Sequence, residues 1–216
     1  MVALWDKSRS TPDSLLLTGA AASESAFKAE AGGRRVLHAA THGFFLGGGC
    51  GSTSGRSASS PPSGVPAAVA AENPLLLSGL ILAGANHRDE AGPGEDDGVL
   101  TAEEIASLDL NGVEWAVLSA CDTGVGQIKA GEGVFGLQRA FQIAGVRTVI
   151  MSLWAVEDRA TSDWMTGLYH QRFVKGLSTV DAVHAASLGL LRRRRAAGLD
   201  THPFYWAGFV AVGDWH

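Results

Sequence analysis

Three short, β-prone apolar runs constrain this chain most: Arg35 to Thr41 (R-V-L-H-A-A-T), Val113 to Ser119 and Arg147 to Leu153 (R-T-V-I-M-S-L). Segments of helical composition separate the second run from the third and follow the third. Strands alternating with helices imply an α/β fold with a mostly parallel sheet and helices on both faces. The first run stops at His42-Gly43, and the second stops at Ala120-Cys121-Asp122-Thr123-Gly124. In open α/β sheets, ligands bind where loops leave the carboxyl ends of the strands. A histidine and a cysteine, each just past such an end, make a candidate base and nucleophile.

The helices carry their own punctuation. Ser23 to Ala31 has helix-forming composition and ends at Gly32-Gly33. Thr101-Ala102-Glu103-Glu104 reads as a capping box. Val134, Leu137, Phe141 and Ala144 recur three or four apart within Gly133 to Ala144, and Gly145 closes that helix. Helices are expected from about Asp158 to Lys175 and from Thr179 to Arg195, with Phe204 to Val212 as a closing strand. Asn73 to Ala85 has the pattern of two short strands around Ser78-Gly79. Residues 86–98 are polar and read as a loop. Residues 46–66 are mostly glycine, serine and proline, which suits a mobile loop. The expected division is a short N-terminal segment, 1–22, and one domain, 23–216, with a flexible loop at 46–72.

Composition removes several classes of function. At 216 residues and 46% apolar content, the chain has enough material for one domain with a core. A net charge of −5 argues against a general nucleic-acid binder. No apolar run reaches the roughly 18 residues of a membrane span. The start, M-V-A-L-W-D-K-S-R-S, lacks the basic region and apolar core of a signal peptide. The two cysteines, Cys50 and Cys121, give neither a disulfide framework nor zinc-site spacing, so no metal or other cofactor is expected. A reducing cytoplasm suits a thiol nucleophile.

Seven segments, in order, resemble the CHAT domain family, caspase-like cysteine peptidases related to separase. They are L-H-A-A-T-H-G (37–43), N-P-L-L-L-S-G-L (73–80), L-T-A-E-E-I (100–105) and L-S-A-C-D-T-G (118–124). G-E-G-V-F-G-L-Q-R-A-F (131–141), S-L-W-A-V-E-D-R-A-T (152–161) and H-P-F-Y-W-A-G-F-V-A-V-G (202–213) complete the set. The resemblance implies a caspase-like sheet, endopeptidase activity on a protein substrate, and His42 and Cys121 as a catalytic dyad. Family members carry a longer stretch before the histidine strand, including a first core strand and helix, and many carry tetratricopeptide repeats earlier still. The chain resembles a CHAT domain with a shortened N-terminal part. An open sheet edge near Val36 to Ala40, or a regulatory or sheet-completing partner polypeptide, is therefore expected. Leu15-Leu16-Leu17 is the one upstream run suited to a short strand.

A thiol of ordinary pKa is only a few per cent thiolate at neutral pH, so an adjacent imidazole must take its proton. The backbone amides of Gly43 and Cys121 would face the developing oxyanion, and glycine at 43 lets the backbone approach the substrate. Alternation places His38 on the face of His42, where it packs rather than reacts. Cys50 reads as an incidental thiol. Glu157 and Asp158 support two readings. One is helix capping and dipole complementarity. The other is an acidic wall accepting a basic residue before the cleaved bond, as the likeness to separase implies, with Asp122 as a further candidate. Arg192 to Arg195 read as a solvated end of a helix.

The rivals are weaker. Gly124-Val125-Gly126 follows a strand, but Lys129 stands where G-x-G-x-x-G needs a glycine. Gly51-Ser52-Thr53-Ser54-Gly55 misplaces the serine of a hydrolase elbow. The remaining alternative is a non-catalytic CHAT-like scaffold, or a fragment of a larger tetratricopeptide-CHAT protein.

Overall fold

Burial at every position of two central strands decides the layering. In the computed structural model, which describes residues 13–45, 74–92, 95–119 and 132–214, β5 (Trp115–Leu118) and β6 (Thr148–Ser152) are buried throughout. Trp115, Val117 and Ile150 join one core; Ala116, Leu118, Val149 and Met151 join the other. Successive side chains point to opposite faces of a strand, so a run apolar at every position must be covered on both sides.

The sheet has the order β1-β5-β6-β7. β1 (Val36–Ala39) lies parallel to β5, and β5 lies parallel to β6. β7 (Phe209–Gly213) returns antiparallel to β6. One face is covered by α2 (Ala102–Ser107) and α3 (Glu132–Ile143), through Ile105, Ala140 and Phe141. The other is covered by α4 (Asp158–Tyr169) and α5 (Thr179–Ala196), through Trp164, Leu168, Ala186 and Leu190. Buried indoles find polar partners: Trp115 donates to the Thr179 hydroxyl at 3.1 Å, and Trp164 donates to Ser187 at 2.9 Å. This is the mostly parallel, helix-flanked sheet expected of a caspase-like fold.

A second, antiparallel sheet joins β2 (His42–Phe45), β3 (Ser78–Ile81) and β4 (Val99–Thr101). Its presence corrects several expectations. The first run does not stay one strand to Thr41: β1 ends at Ala39, and His42 opens β2, opposite Ile81. The segment 73–85 is no hairpin, because Pro74–Leu77 forms a 3-10 turn and only Ser78–Ile81 is a strand. The polar stretch after it contains a 3-10 turn, Ala85–Glu90. Leu15 to Leu17 is not in a strand, and Leu15 and Leu16 are exposed. Pro203 at the first position of a 3-10 turn, Pro203–Tyr205, delays the closing strand to Phe209. The helix after Glu157 changes at His170 into a π-helical turn, His170–Val174.

Other signals hold. Ser23 caps α1 (Glu24–Glu30) by accepting from the Ala26 amide at 3.2 Å. Thr101 and Glu104 make both bonds of the capping box. α1 is then tied to α2 and to the segment before β4 through Lys28, whose ammonium meets Glu24 at 2.6 Å, Asp96 at 2.7 Å and Glu104 at 3.0 Å. Burial works against that ammonium, but the three carboxylates outweigh it and hold its pKa above the usual lysine range. The Glu24 side chain, 2% exposed, also accepts from the Gly98 amide at 2.9 Å.

Gly98 has φ +80°, and a Cβ there would stand 2.2 Å from the Ala85 nitrogen. Gly98→Ala is expected to cost about 2–4 kcal/mol, combining a left-handed backbone with a main-chain clash. Urea unfolding of the two proteins measures it, and a loss below about 1 kcal/mol contradicts this account.

Candidate active site

Three parallel strands bring their carboxyl ends to one edge of the main sheet. β1 and β5 end level: Ala39 pairs with Leu118, and the Ser119 amide donates to the Ala39 carbonyl at 3.0 Å. His42 lies three residues beyond the end of β1. Cys121 and Asp122 follow the exit of β5 but lie outside the described residues, as does Cys50. The exits leading to the candidate base and nucleophile are therefore neighbours in one ladder, about 4.8 Å apart.

His42 is solvent-exposed, and its main chain is held from the second sheet. The Thr41 hydroxyl donates to the Ile81 carbonyl, which fixes the bend between β1 and β2. Gly43 sits within β2 opposite Leu80. Because the chain changes sheets at this bend, the alternation that would align His38 with His42 does not carry across it.

His38 faces α4 instead. Its Nδ1 lies 2.9 Å from the Tyr169 hydroxyl, with ring centroids 5.7 Å apart. Its Nε2 is buried without a hydrogen-bond partner, although part of the residue reaches solvent. Burial pushes the imidazole pKa down to about 4, and burial likewise raises the Tyr169 phenol. His38 is a neutral packing residue, as expected. At the start of β5, Glu114 accepts from Arg35 at 2.6 Å and from Arg172. Burial acts to raise that carboxyl, but the two guanidinium groups outweigh it and keep it below the usual range.

Glu157 and Asp158 lie five and six residues beyond the end of β6, and both are exposed. Glu157 occupies the N-cap position of α4 but makes no side-chain cap bond, which removes capping as the role of its carboxylate and leaves dipole complementarity. Asp158 falls in the first turn, where the helix dipole favours a negative charge. Arg193, Arg194 and Arg195 occupy the last turn of α5. Arg192, Arg193 and Arg195 are exposed, and Arg194 stacks 3.8 Å above the Tyr205 ring. A groove of about 410 Å³, lined by Asp163, His170 and Arg193 among others, opens between α4 and α5, and none of the candidate site residues lines it. No group of metal-ligating side chains occurs among the described residues, and no helix among them is long and apolar enough to cross a membrane.

A family model described as "CHAT domain" matches residues 4–214. Tetratricopeptide repeat protein 28 of Mus musculus is 32% identical over 117 residues, and that of Homo sapiens is 30% identical over 116. Each match covers 54% of this chain and 4% of the relative.

The neutral His38 makes a signed prediction. An unfolded chain binds a proton at this imidazole below about pH 6.5, whereas the folded chain binds it only near pH 4. Between those values the unfolded state holds more protons, so His38 costs stability as pH falls. The contribution is complete above pH 6.5 and lost towards pH 4. His38→Phe should remove about 1–2 kcal/mol of the stability difference between pH 7 and pH 5 in urea unfolding. An unchanged difference overturns this assignment.

Proposed function

The chain belongs to the CHAT domain family, and from that premise we propose that it is a cysteine endopeptidase acting on a protein substrate through His42 and Cys121. The observation that carries the reading is the level, parallel pairing of β1 with β5, whose exits lead to the two residues. His42 takes the thiol proton, and the Cys121 sulfur attacks the scissile carbonyl carbon. The carbonyl electron pair moves onto oxygen, where the Gly43 and Cys121 amides would stabilise it. Collapse breaks the carbon–nitrogen bond, and His42 returns the proton to the leaving amine. Water then hydrolyses the thioester. A reduced, cytoplasmic setting follows from the need for a free thiolate.

A peptide bearing an electrophilic warhead tests this directly. Cys121 should be alkylated in the parent chain and label should be lost in Cys121→Ala. His42→Ala should slow labelling about 10²-fold at neutral pH. Labelling equally fast without His42 would remove the dyad.

Glu157 and Asp158 support a preference for arginine or lysine before the cleaved bond, with Asp122 a further acidic candidate. The Glu157 and Asp158 side chains stand exposed near the exit of β6. Basic peptides should be turned over about tenfold faster than neutral ones, and Glu157→Gln with Asp158→Asn should erase most of that ratio. Equal turnover in the parent refutes the acidic wall.

A second reading is a scaffold that is part of a larger tetratricopeptide-CHAT protein. Both relatives are named for tetratricopeptide repeats, and the matches cover only a small share of them. Among the described residues, β1 is paired on one side only. Arg35 and Ala39 direct their carbonyls to β5, so by alternation Val36 and His38 turn their main-chain groups to the other edge. A partner polypeptide adding a strand there fits this edge. The absence of any Cys121 labelling would favour this reading.

A further inference from the structure

Beyond the end of β6 the chain builds an aromatic platform that neither core uses fully. Phe204 is 40% exposed, and its carbonyl accepts from the Trp154 indole nitrogen at 3.0 Å. The Phe204 and Tyr205 rings meet edge to face, with centroids 5.3 Å apart, and Arg194 covers Tyr205 at 3.8 Å. A second indole, Trp206, donates to the Thr201 carbonyl at 3.0 Å and closes the turn. Gly208 lets the Trp154 indole lie against the main chain: a Cβ there would stand 3.2 Å from the indole and 2.6 Å from Val156. Two indole hydrogen bonds, a cation over a ring and one obligatory glycine hold this surface in place before anything binds.

Its position assigns it an occupant. The Leu153 amide donates to the Gly208 carbonyl at 2.7 Å, extending the β6–β7 ladder one residue past Ser152. The platform therefore starts at the carboxyl end of β6, one strand from the exit leading to Cys121. That distance is about 4.8 Å between strands, against roughly 3.3 Å per residue of an extended peptide. A peptide held at the β5 exit reaches the platform with a side chain one or two residues from the scissile bond. We propose that Trp154 and Phe204 form a specificity subsite for a bulky apolar side chain of the substrate, one or two residues from the cleaved bond. This inference rests on the peptidase reading and goes beyond it. It also separates two determinants, an apolar contact at the platform and a charge contact at Glu157 and Asp158.

The test uses the full chain and peptidyl chloromethyl ketones that vary one residue at a time, alanine against leucine, phenylalanine or aspartate. The readout is the second-order rate of alkylation at Cys121. Leucine or phenylalanine at one position should label about tenfold faster than alanine. Phe204→Ser should cut that ratio about fivefold and leave the alanine probe unchanged, while Phe204→Leu, which keeps an apolar side chain, should preserve it. Leu153→Ser is the control. Leu153 is 44% exposed, and strand alternation turns it to the opposite face of the same exit. It should behave as the parent. Cys121 labelled at equal rates by all probes, or a preference moved by Leu153→Ser and not by Phe204→Ser, overturns the subsite and leaves the peptidase standing. No labelling by any probe overturns both.

Discussion

Parallel pairing of β1 with β5 is the interaction on which the rest depends. Parallel neighbours need a long crossover, because the chain must return to the same end of the sheet before it can run the same way again. Here that crossover carries the whole second sheet and α2. The next, from β5 to β6, carries α3, and the antiparallel return to β7 follows α4 and α5. Every covering helix is thus part of the route between core strands. The same pairing sets two chain exits side by side, with the Ser119–Ala39 hydrogen bond marking where both leave the ladder. A site at that edge results from topology, whatever chemistry occupies it.

Strand and helix identity was legible wherever one element packs against the core with a single period. Val113 to Ser119 and Arg147 to Leu153 announce buried strands, and the Thr101–Glu104 capping box appears with both its bonds. The first run was harder. Its β-prone composition continues through residue 41, while the break after Ala39 arises from a tertiary contact, the Thr41 hydroxyl on the Ile81 carbonyl. Nothing local in the sequence announces a partner forty residues away. Asn73 to Ala85 failed differently: its leucines suit a strand, but Pro74 opens a 3-10 turn and only the second half joins the sheet. The histidine and the acidic pair were legible as residues flanking strand ends. The aromatic platform was not, because Trp154 and Phe204 are fifty residues apart and meet only through the final turn.

Lys28 shows how a small element is retained. α1 has seven residues, too few for a stable isolated helix, and it is held by one ammonium serving three carboxylates from separate segments. Burial raises the Glu24 carboxyl while Lys28 counteracts it, so each partner depends on the other remaining charged. Loss of Lys28 would be felt most at Glu24, the one buried carboxylate of the three, which would be left without its cation.

The change of sheet at Thr41 has a mechanical consequence. His42 is registered against Ile81 in one ladder, whereas the strand leading to Cys121 is registered against Ala39 and Met151 in another. Within a ladder, hydrogen bonds fix neighbours in steps; between ladders, the shared apolar core and the Thr41–Ile81 contact set the offset. The His42 main chain and the β5 exit thus belong to separate ladders, joined on this side by residues 40 and 41. A shift of one ladder against the other would change the spacing between His42 and the β5 exit while breaking no ladder hydrogen bond.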